Sequence, residues 1–242
     1  MNYIEENLRL DAIELGALEG MYECALAIFE GNGFPKRPDV AIGMLQEAAE
    51  AGHSGAQFFL GILYSDGTLA QDYERALSLV RKSAEGGNAD AQAKMGAIYD
   101  LGLWGVLVDY DAAYAWYQSA AEQGEVRGQF NLGQMHYAGK GVPISSMLAT
   151  SWFLKAAEQG HVEAQSNIGA FFETGYGVKS DVAQALIWYK KAAEGGSSTA
   201  QFNLGRAYLV GLGLTKNIDL GLAWLRRSAE NGGEQARIFL QD

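Results

Sequence analysis

The chain has one cysteine, Cys24, and only three prolines and three histidines in 242 residues. A single thiol excludes an intramolecular disulfide and any multi-cysteine metal site. Cys24 lies in an apolar predicted helix, where a buried, inert thiol is the ordinary state. Basic residues are also scarce: 18 Lys and Arg against 29 Asp and Glu leave a formal charge of −11. A surface of that sign repels phosphate backbones, which excludes nucleic acid as a general partner. No apolar run approaches the ~20 residues of a membrane span. The first stretch, MNYIEENLRLDAIEL, is acidic where an export signal is basic and then apolar. The expectation is a soluble, cytoplasmic chain, or a periplasmic or secreted one if a leader has been trimmed.

Glycine, by contrast, is abundant, and its 31 residues are periodic, which signals an internal repeat. Glu50, Glu85, Glu122, Glu158, Glu194 and Glu230 each follow a small residue and stand just before a glycine, at spacings of 35, 37, 36, 36 and 36. Downstream of the first five come Gln57, Gln92, Gln129, Gln165 and Gln201; after the sixth, Gln235 arrives two residues early. Four residues past each of the five glutamines stand Gly61, Gly96, Gly133, Gly169 and Gly205. Three further on is an aromatic register: Tyr64, Tyr99, His136, Phe172 and Tyr208. G-x-G loops follow at 31–33, 139–141, 175–177 and 211–213, and each fits a left-handed turn that ends one helix and launches the next.

Each unit therefore reads as two helices. In the second helix of one unit Ala185, Trp188, Tyr189 and Ala192 fall at i, i+3, i+4 and i+7, one face of a helix. Trp116, Trp152 and Trp224 hold the Trp188 position elsewhere, and Met44 and Leu79 replace it in the first two units. In the first helix Ala164, Ile168 and Phe172 are spaced by four. Glycine inside a helix costs about 1 kcal/mol relative to alanine. Five at one register imply that neighbouring helices approach closely there.

The stretches 164–196 (AQSNIGAFFETGYGVKSDVAQALIWYKKAAEGG) and 200–232 (AQFNLGRAYLVGLGLTKNIDLGLAWLRRSAENG) resemble the Sel-one-like repeat family, relatives of the tetratricopeptide repeats. The resemblance covers about residues 20–240. It implies an all-α fold, a right-handed α/α solenoid of about six two-helix repeats. The units are placed at 18–53, 54–88, 89–125, 126–161, 162–197 and 198–233, within one domain. Residues 1–17 are expected to cap the array with a helix over 3–16, and 234–242 to cap the other end.

In tetratricopeptide-like arrays the first helices line the concave face. By that analogy the candidate partner-binding residues are Phe58, Arg127, Phe130, Gln134, Tyr137, Glu173, Phe202 and Arg206. Aromatic residues on a groove are typical anchors for a protein or peptide. Asn131, Asn167 and Asn203 form a further column, read first as structural hydrogen bonding and second as contacts to a ligand backbone. The loop 100–111 is one residue longer than usual and carries Trp104, which either folds back onto the helices or serves as a loop hot spot. Charge is uneven: residues 1–53 hold 3 basic and 10 acidic side chains, which suits a basic partner or serves solubility.

Catalytic and metal signatures are missing. None of the three histidines has a partner at metal-ligand spacing, and H-E-x-x-H, S-x-x-K and G-x-S-x-G do not occur. His53 and His161 occupy the turn after the A-E-G motif. A glutamate repeated six times is a framework residue, because an active site occurs once. Cysteine-rich members of the family carry paired cysteines that this chain lacks, so their described β-lactamase-like activity is not transferred. The expected function is that of a protein-interaction scaffold without cofactor or metal, bacterial and able to self-associate through its ends or its groove. A regulator or toxin-neutralising immunity protein fits. The alternatives are a carbohydrate or peptidoglycan-fragment binder and, last, a hydrolase.

Overall fold

The computed structural model describes residues 17–241. The helix expected over 3–16 lies outside them. The described residues form α-helices and one short 3-10 turn, with no strand. Repeat 1 is α1 (Ala17–Glu30) and α2 (Pro38–Glu50); repeat 2 is α3 (Ser54–Ser65) and α4 (Tyr73–Glu85); repeat 3 is α5 (Ala89–Leu101) and α6 (Tyr110–Glu122). Repeat 4 is α7 (Val126–Ala138) and α8 (Ser146–Glu158); repeat 5 is α9 (Val162–Thr174) and α10 (Val182–Glu194); repeat 6 is α11 (Ser198–Val210) and α12 (Ile218–Glu230). A short α13 (Glu234–Phe239) follows. The chain divides into two compact units, one ending at Glu125 and one starting at Val126, with three repeats in each.

Side chains set where the helices begin. His53, Asn88, His161 and Ser197 cap first helices by accepting the backbone N–H three residues on. Asp72, Asp109, Ser145, Asp181 and Asn217 do the same for second helices. The G-x-G loops are left-handed at both glycines, as at Gly175 (φ 78°) and Gly177 (φ 68°).

Within each unit the first helix of a repeat packs on its own second helix, and that second helix packs on the next repeat's first helix. The glycine register lies at the first of these seams. A Cβ at Gly61 would stand 2.6 Å from Val80, one at Gly169 2.5 Å from Tyr189, and one at Gly96 inside the Tyr117 ring. The glutamines fasten the second seam. Nε2 of Gln57, Gln92, Gln165 and Gln201 donates to the carbonyl of Ala49, Ala84, Ala157 and Ala193, eight residues upstream on the preceding repeat. In the last copy of this register the residue is Arg237, not the early Gln235, and its Nε donates to Ala229 O at 3.1 Å.

The aromatic register holds one titratable outlier. His136 is buried where other repeats place tyrosine or phenylalanine. Burial holds its pKa below the ordinary histidine value, opposed by a hydrogen bond with the Pro143 backbone. The unfolded chain therefore takes up this proton first as pH falls. The stability tied to a neutral His136 is complete above about pH 6.5 and is lost below it. His136→Tyr is expected to lose less stability than wild type between pH 7.5 and pH 5.5. Denaturant titration at the two pH values checks this, and an identical loss in both proteins would refute it.

Candidate partner-binding surface

The three phenylalanines stand at the junctions between repeats, each half-buried. Phe58, in the first unit, packs against the cluster of Val80, Ala84 and Met95. Phe130, in the second, stacks on the His161 ring at 4.2 Å and leans on Phe153 at 5.3 Å. Phe202 meets Phe239 of α13 edge-on at 6.4 Å. Tyr22 occupies the equivalent place on α1 and was missed because repeat 1 has Ala25 at the glycine register. It lies 4.7 Å from His53. The two histidine caps thus serve twice: the imidazole accepts the helix N–H through Nδ1 and offers its face to the preceding repeat's aromatic ring. His53 Nε2 also lies 3.0 Å from a Glu19 carboxylate oxygen, which ties α1 to α3.

Two of the proposed polar contacts are spent on each other. Arg206 donates to Glu173 at 2.7 Å, and the Tyr189 hydroxyl donates to the other Glu173 oxygen at 2.7 Å. This triad joins repeats 5 and 6. Burial, and then its bond to Glu173, pushes the Tyr189 phenol well above the ordinary tyrosine range, so it stays a donor.

Tyr137 is more available. It is 47% exposed, lies flat on Phe171 at 5.7 Å and meets Tyr176 edge-on at 5.4 Å. Gln134 and Arg127 are exposed on the same helix, α7. The structure corrects the first reading of the asparagine column. Asn131, Asn167 and Asn203 are half-buried, one on each first helix of the second unit, and none of their side chains makes a hydrogen bond with a described residue.

Trp104 folds back. It packs on the cluster of Val80, Met95 and Ile98, stacks with Tyr73 at 6.2 Å, and lies under Lys94 at 5.0 Å. It occupies the second-glycine place of the G-x-G loop and adopts φ 54°, the one positive φ among described non-glycine residues. That conformation costs an L-residue about 1–2 kcal/mol, which the ring contacts offset. Among the described residues no group of three metal-ligating side chains comes together, and no helix is long and apolar enough to cross a membrane.

Six segments match the Sel1 repeat: 18–53, 54–88, 89–125, 126–161, 162–197 and 198–233. The chain belongs to the Sel1 repeat family. These boundaries coincide with those read from the periodicity. Sel1 repeat proteins are α/α solenoids that act as protein-interaction scaffolds. A protective antigen of uropathogenic Escherichia coli with the same fold is 33% identical over 94% of this chain, with a TM-score of 0.82. This chain spans 49% of that protein's length. A Sel1 repeat protein from Oxalobacter formigenes is 32% identical over 88% of this chain and 87% of its own, with a TM-score of 0.80. An immunity protein from Pseudomonas aeruginosa shares the fold at 20% identity, over 90% of this chain and 82% of its own, with a TM-score of 0.53. No curated protein matches the chain.

Proposed function

We infer that this Sel1 repeat chain binds a protein or peptide along the first helices of its second unit. The observation that carries the reading is the asparagine column. Three carboxamides at one register on consecutive repeats have no hydrogen-bond partner among the described residues. A carboxamide donates and accepts at once, so a column of them suits the alternating N–H and C=O groups of an extended backbone. Tyr137 and the exposed edges of Phe130 and Phe202 supply apolar anchors beside it. We read the chain as a binding protein rather than a catalyst, acting in the cytoplasm as a bacterial adaptor. A toxin-neutralising immunity role fits the acidic charge of −11, which would steer a basic target.

The test is the triple variant Asn131→Ala/Asn167→Ala/Asn203→Ala. Partner captured from native lysate by the wild type is identified and then titrated against both proteins. Binding is expected to weaken at least tenfold, from roughly 0.5–1.5 kcal/mol for each lost hydrogen bond. Melting is expected to stay near the wild-type value, because no internal bond is removed. Lower stability with unchanged affinity would show the column to be structural.

A further inference from the structure

Repeat 2 lacks two side chains that repeats 3, 4 and 6 use at one place. The first is a tryptophan. Trp116, Trp152, Trp188 and Trp224 stand on the second helices of repeats 3 to 6, and repeat 2 has Leu79. In repeats 4 to 6 the cation three residues on rests over the indole: Lys155 at 3.8 Å, Lys191 at 4.2 Å and Arg227 at 5.4 Å. Repeat 2 keeps the cation, Lys82, without the ring beneath it. The second missing side chain is a carboxamide at the end of the second helix. Gln123, Gln159 and Asn231 donate from there to Oε1 of Gln92, Gln129 and Gln201, at 2.7, 2.9 and 3.0 Å. Repeat 2 has Gly86.

Leu79 lines a cleft of about 110 Å³ between α2, α3 and α4. Leu60, Tyr64 and Leu79 give it an apolar lining, and Glu50, Arg75 and Lys82 line it as well, with the Arg75 guanidinium over the Tyr64 ring at 4.6 Å. Its buried polar group is Gln57, only 8% exposed. Gln57 Nε2 is used on Ala49 O at 3.0 Å, while its Oε1 accepts no hydrogen bond from any described residue. Repeat 5 also has a glycine at the helix end, Gly195, but it retains Trp188, and Val162 crowds the space where a side chain would begin.

We propose that the repeat 2 cleft is a binding site for the indole of a tryptophan presented by a protein partner. The intact repeats show what this place accepts: a flat aromatic ring beneath a cation, and one N–H aimed at the glutamine oxygen. An indole carries both on one side chain. Its ring takes the space left by Leu79 and lies under Lys82, and its N–H reaches Gln57 Oε1. The protein origin of the tryptophan rests on the scaffold reading; the cleft and its chemistry do not.

N-acetyl-tryptophanamide is the probe, titrated into the full chain and read through the methyl resonances of Leu60 and Leu79. Saturable shifts at both are expected. N-acetyl-phenylalaninamide, which lacks the ring N–H, is expected to bind about threefold to tenfold more weakly. Lys82→Ala, an exposed substitution that spares the fold, is expected to weaken binding about threefold to fivefold. Leu79→Trp refills the cleft from within, so the Leu60 shift disappears while the helical circular dichroism is retained. The triple asparagine variant binds the probe like wild type, which separates this site from the proposed partner surface. No saturable shift at Leu60, or equal binding by wild type and Lys82→Ala, would overturn the assignment.

Discussion

Gly169→Ala is expected to lower the melting temperature by roughly 4–8 °C, a loss of about 2 kcal/mol for a chain of this size. Helix propensity alone argues the other way, since alanine is favoured over glycine by about 1 kcal/mol in a helix interior. Packing decides the sign. The new methyl would stand 2.5 Å from the ring of Tyr189, a buried side chain whose hydroxyl also holds Glu173. Overpacking at such a site costs 1–3 kcal/mol and sometimes more. Displacing Tyr189 also disturbs the bond that joins repeats 5 and 6. Two further glycines calibrate the result. Gly133 would place its methyl 3.2 Å from Phe153, which predicts a smaller loss. Gly43, inside α2, has nothing within 4 Å, so Gly43→Ala is expected to stabilise by up to about 1 kcal/mol. Thermal melts of the three variants check the order. A Gly169→Ala shift in the same direction as Gly43→Ala would remove close helix approach as the reason for the register.

The glycine register was legible because a solenoid writes each constraint once per repeat. Five glycines at one place outweigh the propensity argument against any one of them. The glutamines were equally visible as a period, but not as an interaction. Their acceptor is a backbone carbonyl eight residues upstream, and composition says nothing about a carbonyl. The substitution of that role by Arg237 was hidden for the same reason, with Gln235 as a decoy of the right residue type. Asparagine misled differently. Carboxamides that bind their own protein and carboxamides that do not look alike in a sequence, and only the geometry separates Asn203 from Gln201. The phenylalanine column illustrates a third limit. Helical spacing places Phe130 on the first-helix surface, and that is where it sits, yet the cap of the next helix, His161, takes one of its faces. The cleft in repeat 2 was the hardest to see, because what distinguishes it are side chains that other repeats have and this one lacks: an indole where Leu79 stands and a carboxamide bond to the Gln57 oxygen.

The second large effect is expected at Gln201. Its side chain is fully buried, donates to Ala193 O at 3.0 Å and accepts from Asn231 at 3.0 Å. Gln201→Leu keeps the volume nearly constant but removes both bonds, leaving the Ala193 carbonyl only its weaker turn bond from the Gly196 N–H at 3.2 Å. The lost bond to Ala193 is worth about 0.5–1.5 kcal/mol, whereas Asn231 is exposed and turns to water. Asn231→Ala is therefore expected to cost less than Gln201→Leu, by about 0.5–1.5 kcal/mol. The location of the loss follows from the architecture. A repeat touches only its neighbours, so weakening one junction loosens the array locally before it lowers global stability. Amide hydrogen exchange should show α11, α12 and α13 losing protection in Gln201→Leu while α7 and α8 keep theirs. Uniform loss across repeats 4 to 6 would mean that the second unit unfolds as one cooperative body, and that the glutamine bonds do not act junction by junction.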